Sequence, residues 1–125
     1  MEVALGIIIY QNKVLLIKRV KEEGNLLWAF PGGKKDVQDN SIEATVVREV
    51  REETGANVLA KNLIASRKFG DVKLSYFECE FISQSSGYSQ QEIQEIRFCS
   101  VEEMLSLVTS EIFPPVLEFI RNKLK

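Results

Sequence analysis

The segment from Ser41 to Gly55 constrains this chain more than any other stretch of it. Ser41 is a side-chain acceptor at the head of a helix, and Gly55 is a stop at its foot. Ala44, Val46, Val47 and Val50 give the predicted helix a side to bury, so it must lie against an apolar layer. Glu49, Glu52 and Glu53, at i, i+3 and i+4, share one arc of its surface. Like charges at these spacings destabilise a helix by roughly 0.2–0.5 kcal/mol per pair. A cation in front of the arc would offset that cost; the alternative is a solvated acidic face.

The layer that the helix needs is present in the flanking sequence. Val3 to Tyr10 and Val14 to Arg19 read as strands joined by a turn at Gln11-Asn12-Lys13. Val20 to Leu27 reads as a loop and Trp28-Ala29-Phe30 as a short strand running into Pro31-Gly32-Gly33, with Lys34 to Asn40 irregular. Beyond the helix, Asn57 to Phe69 and Val72 to Ile82 form a second strand pair around Gly70-Asp71, followed by a Ser/Gln-rich loop, Ser83 to Gln90. Ile93 to Cys99 is a further strand. Ser100 and Glu103 form a capping box for a helix over Val101 to Val108, and Phe113-Pro114-Pro115 opens a last helix. The pattern is a mixed sheet with a few helices, in one α/β or α+β domain covering residues 1–125.

Composition narrows the chemistry. A net charge of -2 gives no broad basic surface for nucleic acid or membrane. The first apolar run is too short to span a bilayer and lacks a basic start, so a cytoplasmic protein is expected. Cys79 and Cys99 stand in strand-like contexts without CxxC spacing and read as buried reduced thiols. There is no histidine, which removes imidazole triads and most zinc sites. Any metal must be a hard cation held by oxygen.

From Pro31 to Ala56 the chain resembles the Nudix hydrolase signature, in its MutT-like form. That pattern is a Gly, a loop Glu, then Arg-Glu-apolar-x-Glu-Glu-x-Gly-apolar; its second half stands complete here from Arg48 to Ala56. The resemblance implies an α/β (α+β) fold with a Nudix-type mixed β-sheet sandwiched between helices. It implies a metal-dependent nucleotide pyrophosphohydrolase that splits the diphosphate bond of a nucleoside diphosphate derivative or nucleoside triphosphate, with Mg²⁺ or Mn²⁺ as cofactor. Carried over residue by residue, Gly32 (through its carbonyl), Glu49, Glu52, Glu53 and the late carboxylate Glu92 are the implied metal ligands, with Glu95 the alternative to Glu92. Glu49, Glu53 and Arg48 are the implied catalytic group, Arg48 as an orienting ion pair. Arg19, Phe30 and Gly33 are the implied substrate contacts; a surface Arg19 and core aromatics are the alternatives. The expected partner is a nucleotide, with no membrane and no stable nucleic-acid complex; a homodimer is left open.

The loop half of the signature departs from the pattern. Read back from Arg48, six residues, Lys34 to Asp39, follow the glycines, and Asn40 stands where the family has its loop Glu. Asp39, one position earlier, is the candidate substitute. A catalytically weakened Nudix-fold binding or regulatory module is therefore the alternative reading. Two substrate markers are also missing. No proline lies between Pro31 and Pro114, where ADP-ribose-cleaving members carry one, and Phe113 stands near the place where MutT-type enzymes use an asparagine.

Overall fold

The structure, a computed structural model, describes residues 1–20, 26–85 and 92–125. Its elements run β1 (Glu2–Tyr10), β2 (Lys13–Val20), β3 (Leu26–Ala29), β4 (Gly32–Lys34), α1 (Ile42–Thr54), β5 (Ala56–Phe69), β6 (Val72–Gln84), β7 (Ile93–Cys99), α2 (Val101–Leu107) and α3 (Pro114–Lys123). The strands form one mixed sheet in the order β3-β2-β1-β6-β5, with β4 on β1 and β7 on β2. β1 and β6 are parallel, from Glu2↔Lys73 to Ile9↔Glu80; β5 and β6 form a long antiparallel pair.

A split in this sheet positions the site. β1 and β2 leave a two-residue turn, where Gln11 and Asn12 take φ of 50° and 63°, the left-handed geometry that matches strand twist. They pair only at Tyr10↔Lys13 and Ile9↔Val14. From there they part: β3 takes the edge of β2 from Ile17, and β4 takes the edge of β1 from Leu5. Phe30 and Pro31 join β3 to β4, so the Pro31-Gly32-Gly33 segment lies in the split, where the Pro31 carbonyl accepts the Gly6 N–H at 2.8 Å. β4 is absent from the sequence reading. Gly-Gly-Lys carries no strand propensity, and only the open edge of β1 makes it one.

Alternation along β1 and β2 sends side chains to two cores. Ala4, Ile8 and Leu15 meet Val46 and Val50 of α1, together with Phe77 and Val58. Ile7, Val14 and Leu16 meet Met104 of α2 and Val116 and Ile120 of α3 on the other face. The sheet is thus held between helices, as the resemblance implies. Val46 and Val50 are fully buried, worth about 1.5–3 kcal/mol each; Ala44 and Val47 are only partly so. The Ser41 hydroxyl accepts the Ala44 N–H at 3.0 Å, and Gly55 at φ 76° donates its N–H to the Arg51 carbonyl at 2.9 Å, closing the helix.

The expected loop over Val20 to Leu27 is shorter, since β2 includes Val20 and β3 begins at Leu26; residues 21–25 lie outside the described residues. Of the expected Ser83–Gln90 loop, Ser83 and Gln84 belong to β6 and 86–90 lie outside the described residues. Cys79 and Cys99 are buried and free. No helix among the described residues is long and apolar enough to cross a membrane.

Candidate active site

Glu49, Glu52 and Glu53 of α1 share an arc but not an environment. Their side chains are 7%, 18% and 53% exposed for Glu53, Glu49 and Glu52 respectively. Glu53 points into the split. Its Oε1 accepts the Gly32 N–H at 2.8 Å and its Oε2 accepts from Arg19 Nη2 at 2.7 Å. Burial pushes its carboxyl up to about 7, while the charge of Arg19 and the Gly32 N–H pull it back. Glu49 is also raised by burial, and its hydrogen bond from Arg48 opposes the rise.

The two glycines are required by this arrangement. A Cβ on Gly33 would lie 2.5 Å from one Glu49 carboxylate oxygen. A Cβ on Gly32, at φ 154°, would run into the Ala4 carbonyl. At Gly32 only glycine lets the loop pass this close to β1, and Gly33 leaves the Glu49 carboxylate where it stands.

Arg48 is the organiser of the rim. Its Nε and Nη2 donate to Asp39 Oδ1 and Oδ2, each at 2.9 Å, and Nη2 also reaches the Lys34 carbonyl at 3.2 Å. Its Nη1 donates to Glu49 at 2.8 Å and to Glu52 at 3.2 Å. Asp39 accepts two further hydrogen bonds at 2.9 Å, from the Thr45 hydroxyl and the Asp36 N–H. Arg48 beside it holds its carboxyl well below the usual range. Asp39, not the exposed Asn40, is therefore the loop acid that pairs with the signature arginine. Counted forward from Gly33, the five residues Lys34 to Gln38 precede it, which is the family spacing; the extra residue falls between Asp39 and Arg48. Counting back from Arg48 had put the acid at Asn40.

The late carboxylates separate cleanly. Glu92 precedes β7, where its carbonyl accepts the Val20 N–H at 3.2 Å, and its charge is among those that raise Glu53. Glu95 is taken up by Arg97 at 2.7 Å. Trp28 and Phe30, both nearly buried, belong to the core on the face opposite α1. They also line a cavity of about 230 Å³, to which Arg19 and Tyr76 contribute. Arg19 thus touches both the acid cluster and this cavity.

The donor set suits a hard divalent cation. It consists of carboxylates and the Gly32 carbonyl, and two of the carboxylates are raised by burial, so a cation facing them relieves a real electrostatic cost. As they stand, however, no three acidic side chains converge among the described residues. Arg48 holds Glu49 and Glu52, and Arg19 holds Glu53.

A family model for the NUDIX domain matches residues 1–119. This chain belongs to the Nudix hydrolase family. Among curated Nudix relatives it is 31% identical over 120 residues to the CTP pyrophosphohydrolase of Escherichia coli K12, covering 94% of this chain and 88% of that one. It is 33% identical over 118 residues to the nucleoside diphosphate-linked moiety X motif 6 protein of Xenopus laevis, covering 81% of this chain but only 52% of the relative's length. In fold it resembles a NUDIX hydrolase from Nitrosomonas europaea, with a TM-score of 0.84 at 17% identity over 98% of this chain and 90% of that one.

Proposed function

We propose that this Nudix protein is a Mg²⁺- or Mn²⁺-dependent pyrophosphohydrolase acting on a nucleoside triphosphate or a nucleoside diphosphate derivative. The observation that supports the reading most is the junction of Glu53, Gly32 and Arg19, a buried carboxylate paired with an arginine that also lines the neighbouring cavity. The similarity to the CTP pyrophosphohydrolase over most of both chains supports a nucleotide as the substrate class.

In this reading Glu49, Glu52, Glu53, the Gly32 carbonyl and Glu92 hold the cation. Once bound it masks phosphate charge and lowers the pKa of a water. Glu49 and Glu53 are the catalytic carboxylates of this reading, one of which would take the proton of the attacking water. Arg48 acts as a positioning residue: anchored by Asp39, it fixes the rotamers of Glu49 and Glu52. Arg19 balances the phosphates, and Gly33 leaves room for Glu49. The alternative of a fold that has lost turnover drew on a missing loop acid and an extra loop residue; the pairing of Asp39 with Arg48 speaks against the first ground, and the second stands. A cytoplasmic location is part of the reading, and two buried cysteines left free of a disulfide are compatible with it. The test is a hydrolysis screen of common nucleotides with Mg²⁺ and Mn²⁺, on the native chain and on Glu52→Gln and Glu53→Gln. Release of phosphate or pyrophosphate by the native chain alone supports the reading; full turnover by either variant overturns the site.

A further inference from the structure

Two buried side-chain donors among the described residues have no hydrogen-bond partner, the Nε of Arg19 and the Nε of Arg67. Both arginines line the same cavity of about 230 Å³. An N–H buried without an acceptor is costly, and such groups in native structures mark strain, a functional role or a bound water or ion. Arg19 is partly accounted for by Glu53. Arg67 makes no ion pair among the described residues. Nor is it loose: its guanidinium carbon lies 4.6 Å from the ring centroid of Phe113 and 5.8 Å from that of Phe69. A guanidinium laid over a ring keeps its charge fixed and its edge donors free.

The position of Arg67 says what those donors meet. Arg19 is on β2 and Arg67 on β5, with β1 and β6 between them in the strand order. Arg19 joins the cavity to the acid cluster, so Arg67 stands at the end away from the phosphates. The walls between them include Trp28, Phe30, Tyr76 and Phe113, flat surfaces suited to a heterocycle. The volume falls below the about 300–1,000 Å³ of pockets that enclose whole ligands, so it admits one ring system and not a full nucleotide.

The geometry points to Arg67 as the residue that selects the base, taking two adjacent acceptors on its two Nη groups, the end of the guanidinium that is not buried. This inference rests on the nucleotide hydrolase reading above. Cytosine offers O2 beside N3, and guanine offers O6 beside N7. Uracil and thymine place an N–H between their two carbonyls, and adenine places its amino group beside N1 and N7, so neither fits a donor pair. Glu111, also on the wall, can accept from the exocyclic amine that cytosine and guanine carry. The fold therefore favours CTP or GTP over UTP and ATP.

The experiment compares the native chain with Arg67→Met and Arg67→Lys, each checked for native circular dichroism. kcat/KM is measured for CTP, GTP, UTP and ATP with Mg²⁺, and equilibrium binding of the same four nucleotides is measured without divalent metal. The native chain should prefer CTP or GTP by about tenfold or more in both assays, and the pair of values says which base is read. Arg67→Met should lose about 5- to 150-fold for the preferred base, mostly in KM, and stay within about twofold for UTP and ATP. Arg67→Lys, with a charge but no fork, should fall between; should Arg67→Met not fold, that variant decides the question by the same comparison. A base preference unchanged in the folded variants, or a native preference for UTP or ATP, overturns the inference. Turnover whose base preference ignores Arg67 leaves the hydrolase reading standing and removes this one. Base-selective binding that needs Arg67 but comes with no turnover does the reverse.

Discussion

Arg48, on the acidic helix, and Arg19, on β2, pair with the same arc of glutamates, and they are used in opposite ways. Arg48 spends all three nitrogens on protein: a fork to Asp39, a contact to the Lys34 carbonyl, and Nη1 shared by Glu49 and Glu52. Arg19 uses Nη2 on Glu53 and Gly32 and leaves a buried Nε with no partner. A saturated guanidinium fixes geometry and has nothing left for a ligand. An under-satisfied one marks where a ligand completes the structure. The acids differ to match. Asp39 is held ionised by Arg48, whereas burial makes Glu53 hard to ionise. One pair is scaffold and the other is poised.

The largest effect expected from breaking this contrast is at Glu53. Glu53→Gln keeps the shape and can still accept the Gly32 N–H, but it removes the charge that meets Arg19 and that the proposed function assigns to a cation. kcat should fall by about 10²–10³-fold, the loss typical of a group that stabilises charge in the transition state. Steady-state kinetics at saturating metal checks it, and a change below threefold would put Glu53 outside the chemistry.

Next comes pH, where the two acids must act with opposite signs. The Glu53 carboxyl in the folded chain titrates at about 7 against an ordinary 4.5. The folded state therefore binds its proton more tightly, and stability falls as pH rises between those values, by about 3 kcal/mol at most. Glu49 shifts in the same direction. Asp39 is lowered, so its contribution is present above its ordinary value of 3.8 and is lost as pH falls below it. Urea unfolding from pH 3 to 8 should give a maximum near pH 4–5. Glu53→Gln should flatten the upper limb, and Asp39→Asn the lower one. A native chain that gains stability from pH 5 to 7 would reverse the assignment.

Much of this was legible in sequence, and what was not has a physical reason. The helix, both of its caps and the arc of three carboxylates depend on residues within a few positions of one another, so periodicity and capping rules reach them. β4 was not legible, because a Gly-Gly-Lys strand exists only where β1 and β2 part. The loop-acid position was read one residue late, at Asn40 with Asp39 as the candidate substitute, because the extra residue lies on the helix side of Asp39 and spacing alone does not say on which side to count. Arg67 gave no signal at all. A lone arginine in a strand is ordinary until the ring of Phe113, far along the chain, is packed over it.

A smaller effect is expected on the scaffold side. Asp39→Asn keeps the size of the side chain but weakens the fork that anchors Arg48. Asp39→Glu keeps the charge and tests whether the shorter acid is matched to the extra residue. Outer-shell partners of a metal site typically matter by about 10–100-fold in affinity or activity. For Asp39→Asn that loss should appear as a higher metal requirement, with the Mg²⁺ dependence of kcat moved to higher concentration. Nucleotide binding measured without metal should stay the same, which separates positioning of Glu49 and Glu52 from substrate contact.

The smallest effect separates the two late glutamates. A cation that binds only the folded state at ten times its Kd adds about 1.4 kcal/mol, roughly 3–7 °C in Tm for a domain of this size. Mg²⁺ should raise Tm more at pH 7.5 than at pH 5.5, because protons on Glu53 and Glu49 compete with it. Glu92→Gln should shrink the shift, since the charge of Glu92 already reaches Glu53. Glu95→Gln should leave it unchanged, because Glu95 is committed to Arg97 on the strand. A thermal titration of the two variants side by side ranks them. If Glu95→Gln loses the shift and Glu92→Gln keeps it, the cation approaches from the β7 face and the ligand set must be redrawn around that strand.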